Sequence, residues 1–373
     1  MRTRICDLLG IEYPIFAFTR SREVVAEVSK AGGMGVLGAI AFTATELQAQ
    51  LEWLDQHIGG KPYGVDVVMP AAIIEAAPAD LEGMIPEGHR HFVDELLERY
   101  HVPPLPEGEE AHEGLLSWVH EKARAQVEVA LKHPIKLLAN ALGPPPADVV
   151  EAAHKRGVPI AALVGAAEHA RRQVEAGVDI IIAQGTEAGG HTGQIATMVL
   201  VPEVVEAVKP VPVLAAGGIG SGAQMAAALA LGADGVWTGS AWLMAAESDT
   251  HPVVQEKMAH ASSSDTVRSR SWTGKPARLL RTAWTEAWDG PDSPGALPMP
   301  LQFMASVEAI GRIHRYAGRE DSGARELVGT PVGQIVGRLN RVRPAAEIVA
   351  DMVREYEETV ARLAASLPQR AKT

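Results

Sequence analysis

Only one cysteine, Cys6, occurs among the 373 residues. A lone thiol closes no disulfide within the chain and supplies no cysteine metal cluster, which fits a reducing compartment. No window approaches the ~18 uninterrupted apolar residues that a membrane-crossing helix needs. The opening stretch "MRTRICDLLGIEYP" lacks the apolar core of a signal peptide, so the expected location is cytoplasmic. Positive charge is also short. Against 46 Asp and Glu there are 34 Lys and Arg, and the formal net charge of −12 argues against a nucleic acid or an anionic membrane as partner. There is no G-x-x-x-x-G-K-[ST] phosphate loop and no G-x-S-x-G hydrolase elbow. No convincing metal set appears either. "HRHF" (89–92) offers two histidines without a third ligand.

What is present is alternation. "YPIFAF" (13–18), "MGVLGAI" (34–40), "YGVDVVM" (63–69), "IKLLANAL" (135–142), "VPIAALV" (158–164), "VDIIIAQ" (178–184), "VPVLAAG" (211–217) and "DGVWTG" (234–239) are short apolar runs flanked by turn residues. They read as buried strands. Helical patterns fill most of the gaps between them, and two of these end at Gly177 and Gly232, as helix stops do. Eight such strands with both faces apolar predict an α/β fold, a (β/α)8 TIM barrel. An open doubly wound sheet is the second reading. Residues 70–113 are too long for an ordinary loop and predict an insertion after strand 3, helical around 89–99. Residues 240–373 show no convincing ninth strand, and 344–367 form an amphipathic helix pattern. The expected division is a barrel over 1–245, with the insertion inside it, and a helical C-terminal extension over 246–373 packed on the barrel.

Glycine clusters differ in meaning. "GMGVLG" (33–38) has dinucleotide-motif spacing, but a helix precedes it and a strand follows, the reverse of what that motif requires. "AAGGIGSG" (215–222) and "WTGS" (237–240) follow the seventh and eighth strands, where barrels often bind phosphate through main-chain amides. A helix start after the first of these adds partial positive charge. "GTEAGGHTG" (185–193) sets one imidazole, His191, behind two glycines at a strand end.

Together, "AQGTEAGGHTG" (183–193), "PVLAAGGIGSG" (212–222), "GADGVWTGSAWL" (232–243) and "TGKPAR" (273–278) resemble the nitronate monooxygenases, formerly 2-nitropropane dioxygenases. The resemblance spans about residues 5 to 285 and is weakest across 70–113. It implies an FMN-dependent barrel flavoprotein, with His191 matching the catalytic histidine. It places Gln184, Gly189 and Gly190 beside the flavin. Gly217 and Gly218 fall in the first phosphate loop, and Trp237, Thr238, Gly239 and Ser240 in the second. Asp66 falls where the family usually carries asparagine, and "FAFT" (16–19) where it commonly has Gln-Ala-Pro-Met. Both departures bear on the substrate. The implied activity is oxidative denitrification of alkyl nitronates with dioxygen.

A basic stripe, "TVRSRSWTGKPARLLRTAWT" (266–285), holds Arg268, Arg270, Lys275, Arg278 and Arg281 and no acid. It reads either as salt bridges to acidic helices or as a binding surface for an anionic substrate such as a CoA thioester. Trp272, Trp284 and Trp288 beside it would stack on an adenine or pack in a core. The alternatives to nitronate oxidation are therefore an FMN-dependent dehydrogenase or reductase for a CoA-linked enone, and a flavin-binding barrel without catalysis. A homodimer is compatible with the sequence.

Overall fold

The computed structural model describes residues 1–69, 78–106, 108 and 120–367. Eight parallel strands close into a barrel: β1 (Ile15–Thr19), β2 (Met34–Gly38), β3 (Tyr63–Asp66), β4 (Leu137–Asn140), β5 (Ile160–Val164), β6 (Ile180–Gln184), and then β8 (Val213–Ala216) and β9 (Gly235–Thr238), which returns to pair with β1. β7 (Gly190–His191) lies outside the barrel, on the loop that follows β6.

Strand side chains alternate between the two faces. Phe16, Met34, Val36, Leu137, Ala139, Ile180, Ile182, Leu214 and Trp237 point inward and fill the barrel. Val65, Leu138, Ile181, Val213 and Val236 point outward, under the helices. Both sets are buried, which is why the strands read as continuous apolar runs. A short helix, Arg4–Leu9, plugs the N-terminal end of the barrel with Ile5, Cys6 and Leu9. The glycines that stop the two helices, Gly177 and Gly232, have φ of 92° and 100°, which a β-carbon would oppose.

The chain after β9 holds a feature that the sequence reading missed. β10 (Thr266–Ser269) and β11 (Ala277–Leu280) form an antiparallel hairpin that adds β7 as its third strand. The basic stripe is this hairpin. Its arginines break the apolar runs by which strands are recognised, and the two residues of β7 are too few to show a period. A second core gathers Val253, Val254, Trp284, Trp288, Ile313 and Val332 from the extension with Val93, Leu96 and Leu97 of the insertion. Trp284 and Trp288 are thus core residues, not a stacking platform. The insertion is helical over Glu87–Arg99. Residues 70–77, 107 and 109–113 of it lie outside the described residues, and the helix that precedes β4 is described from His120 to Ala130. The helix Ala345–Ala365 returns to the barrel, where Ala345, Ile348, Val349 and Met352 join the outer barrel core.

Candidate active site at the C-terminal rim

Parallel strands bring all their C-terminal ends to one rim, and the loops after β6, β8 and β9 meet there. Thr197, first residue of the helix Thr197–Val208, knots two of them together. Its hydroxyl lies 3.0 Å from both the Glu187 carboxylate and the Gly217 carbonyl. Glu187 also accepts the Thr197 N–H at 3.0 Å, so it caps that helix and holds its loop. The glycines permit this closeness. A β-carbon on Gly185 would stand 2.0 Å from the Thr197 hydroxyl, and Gly217, at φ 97°, presses against the Gly185 carbonyl.

A strap from the extension covers the same loops. Leu280 donates its N–H to Thr330, Gln334 to the Glu187 carbonyl at 2.9 Å, and Gly333 to the Ser240 hydroxyl at 2.9 Å. Gly189 is a glycine because Val332 backbone would lie 2.8 Å from its β-carbon. The resemblance places the same position beside the flavin, and the strap packs against its Cα.

Phosphate-binding capacity was expected at the β8 and β9 turns, aided by a helix start. The turns leave main-chain donors open. Among the described residues, the N–H groups of Gly218, Ile219, Gly239 and Ser240 meet no protein acceptor. The Ser240 oxygen accepts from Gly333, which leaves its own hydrogen to donate. The helix start does not: Glu355 of the last helix accepts the Gly222 N–H at 3.0 Å, and Gln224 takes that of Gly220. The helix Gly222–Ala230 is therefore capped by protein, and any phosphate depends on the turn amides and the Ser240 hydroxyl. The Thr238 hydroxyl is spent in the barrel wall, donating to the Phe16 carbonyl and accepting from the Trp242 indole. Thr238 can therefore contribute only main chain.

Three expected residues line the mouth itself. Trp237 stacks on Phe16 and Phe18, with centroids 6.2 and 6.1 Å away, and forms the floor. Gln184 ends β6 on the inward face, two residues beyond Ile182, and is half-buried. Asp66 ends β3 on the inward face, two residues beyond Gly64, and is 5% exposed. Its carboxyl makes no hydrogen bond among the described residues. Burial alone pushes it up from 3.8 to about 7.

His191 lies on β7, opposite Ala277 of β11, with Gly190 opposite Arg278. Its Nε2 is 2.7 Å from the hydroxyl of Thr273, in the β10–β11 turn. That hydroxyl is also shared with Lys275 main chain at 3.3 Å, which fixes its direction. Burial and, secondarily, the Lys275 ammonium hold the imidazole down from 6.5 to about 4, so it is neutral at neutral pH. Thr273 opens the "TGKPAR" stretch, yet no local pattern marks it as a site residue. Nothing in one dimension shows that residue 273 meets residue 191.

Among the described residues the stripe makes no salt bridges to acidic helices. Arg278 is buried and donates to the Thr186 carbonyl at 2.9 Å and the Thr266 hydroxyl at 3.1 Å, and Arg268 donates to the Thr192 carbonyl at 3.2 Å. These arginines strap the hairpin to both ends of the loop that carries His191. His89 and His91 have ordinary partners, the Gly295 carbonyl and Glu95.

The model of the nitronate monooxygenase family matches residues 2–355. A Mycobacterium tuberculosis protein, Rv1533, whose designation as a monooxygenase is itself provisional, is 55% identical over 97% of this chain and 98% of its own length. A Staphylococcus saprophyticus protein, whose designation as a nitronate monooxygenase is likewise provisional, is 30% identical over 74% of this chain and 78% of its own. Among solved structures, nitroalkane oxidase from Streptomyces ansochromogenes superposes with a TM-score of 0.79 at 27% identity, covering 96% of this chain and 99% of its own. FabK from Thermotoga maritima does so with a TM-score of 0.72 at 29% identity, covering 98% of this chain and all of its own. The (β/α)8 barrel, the glycine-knotted rim and these matches lead to one conclusion: this chain is an oxidoreductase belonging to the nitronate monooxygenase family, whose members work with a flavin.

Proposed function

We propose that the protein uses FMN to oxidise alkyl nitronates with dioxygen, releasing the nitrogen. The residues present fit the cofactor. The amides of Gly218, Ile219, Gly239 and Ser240, which meet no acceptor among the described residues, would hold the phosphate together with the Ser240 hydroxyl. Asp66, Gln184 and the Trp237 floor would face the ring, and the 189–190 turn would carry His191 toward it. When bound, the flavin supplies an electron acceptor that dioxygen can regenerate.

The observation that carries this reading is the state of His191. An imidazole held neutral down to about pH 4 is a weak base. It removes a carbon-bound proton poorly, so a substrate that arrives already ionised suits it better. A nitronate is such a substrate. The neutral ring offers it a hydrogen-bonding group, oriented by Thr273, and the Lys275 charge beside it favours an anion.

Oxygen uptake with ethylnitronate, without NAD(P)H, is the test. The expected result is rapid uptake with ethylnitronate and slow uptake with nitroethane. His191→Ala should retain FMN and lose ~10²–10⁴-fold in turnover. Full activity in that variant would remove His191 from the mechanism. The likeness to FabK favours a second reading, reduction of a CoA-linked enone. It predicts NAD(P)H oxidation that depends on an enoyl-CoA, and no oxygen uptake with nitronates.

A further inference from the structure

Asp66 is an anomaly of the barrel mouth. It is an inward-facing carboxyl, 95% buried by its 5% exposure, with no hydrogen-bond partner among the described residues. Its sheet neighbours are Gly38 and Ala139, too small to reach it. A buried polar group left unpaired costs about 1–3 kcal/mol, and more when charged. A protein that leaves such a group at the rim where barrels bind their ligands leaves it for the ligand.

We propose that Asp66 meets the flavin ring as a neutral carboxylic acid, donating its O–H to an acceptor on the ring, and that its ionisation expels the cofactor. This deepens the FMN reading and rests on it. Two arguments support the acid form. Among the described residues no positive charge reaches the carboxyl: β2 and β4 carry no ionisable side chain, and on the helix Arg22–Lys30, packed outside the sheet, Arg22 pairs with Glu23 and Lys30 with Glu27. A carboxylate, moreover, only accepts hydrogen bonds, and it would set a second anion against an electron-rich reduced ring.

The consequence is a pH-gated affinity. If only the acid form binds and Asp66 titrates at about 7, some 3% of the protein is competent at pH 8.5, and the apparent Kd for FMN weakens by roughly 30-fold relative to pH 5.5. Asp66→Asn keeps a donor and loses the titration. FMN released from the holoenzyme, measured by ultrafiltration and flavin fluorescence at pH 5.5 and 8.5, tests this in both proteins. The FMN phosphate titrates near pH ~6 in both, so its effect cancels in the comparison. The expected result is a loss of affinity with pH at least tenfold larger in the wild type than in Asp66→Asn. Equal pH dependence in the two proteins overturns the proposal while leaving the FMN reading intact. Absence of FMN from both at either pH overturns the FMN reading and this proposal with it. Should Asp66→Asn fail to fold, the infrared carbonyl stretch of a protonated carboxyl decides within the wild-type holoenzyme. It should be present at pH 5.5 and lost at pH 8.5 in step with FMN release, and release without that loss overturns the proposal.

Discussion

Replacing His191 with glutamine should change how stability depends on pH, by an amount the structure supplies. The imidazole titrates ordinarily at 6.5, as it would in the unfolded chain, and at about 4 in the fold. The difference of about 2.5 units disfavours the protonated ring by about 3 kcal/mol, at ~1.36 kcal/mol per unit. The folded pKa is depressed, so between pH 4 and 6.5 the unfolded chain binds more protons than the native state. Stability from this residue is therefore fully present above pH 6.5 and is lost as pH falls through 4. Glutamine can still hydrogen-bond Thr273 but does not titrate. Every other titrating group, Asp66 included, is common to the two proteins and drops out of their difference. For a chain of this length 1 kcal/mol moves Tm by roughly 1 °C. Calorimetric scans of both proteins from pH 4 to pH 7.5 should then show the glutamine variant gaining about 3–4 °C on the wild type as the pH is lowered. A constant difference in Tm across that range would refute the reasoning. It would mean that the ring is solvated enough to protonate in place, and the preference for a pre-ionised substrate would lose its support.

Two further expectations concern how the extension serves the rim. Thr273→Val removes the hydroxyl 2.7 Å from His191 Nε2 while leaving the packing almost unchanged. Turnover should fall by about tenfold with FMN content unaltered, as read by steady-state oxygen uptake and the visible spectrum. Gly189→Ala drives a β-carbon to within 2.8 Å of the Val332 backbone. Displacing the strap should cost about 2–3 kcal/mol in chemical denaturation and loosen FMN, because the Gly333 N–H then leaves the Ser240 hydroxyl.

Local sequence determined the barrel. Its strands are buried on both faces, so each is a compact apolar run, and the helices between them end at glycines that the backbone requires. These are properties of neighbours along the chain. The glycine turns after β8 and β9 and the histidine after β6 were legible for the same reason, since parallel strands deliver their C-terminal ends to one rim without further information. Tertiary structure decided what surrounds them. The β10–β11 hairpin reads as polar sequence because Arg268 and Arg278 point at main-chain carbonyls of a loop some eighty residues earlier. Thr273 becomes the partner of His191, Glu355 closes a helix end, and Val332 packs against Gly189 so closely that no side chain fits there. Each of these contacts joins the barrel to the extension across a long stretch of chain. Periodicity records only which face a residue buries; what lies against that face is set by how the elements dock.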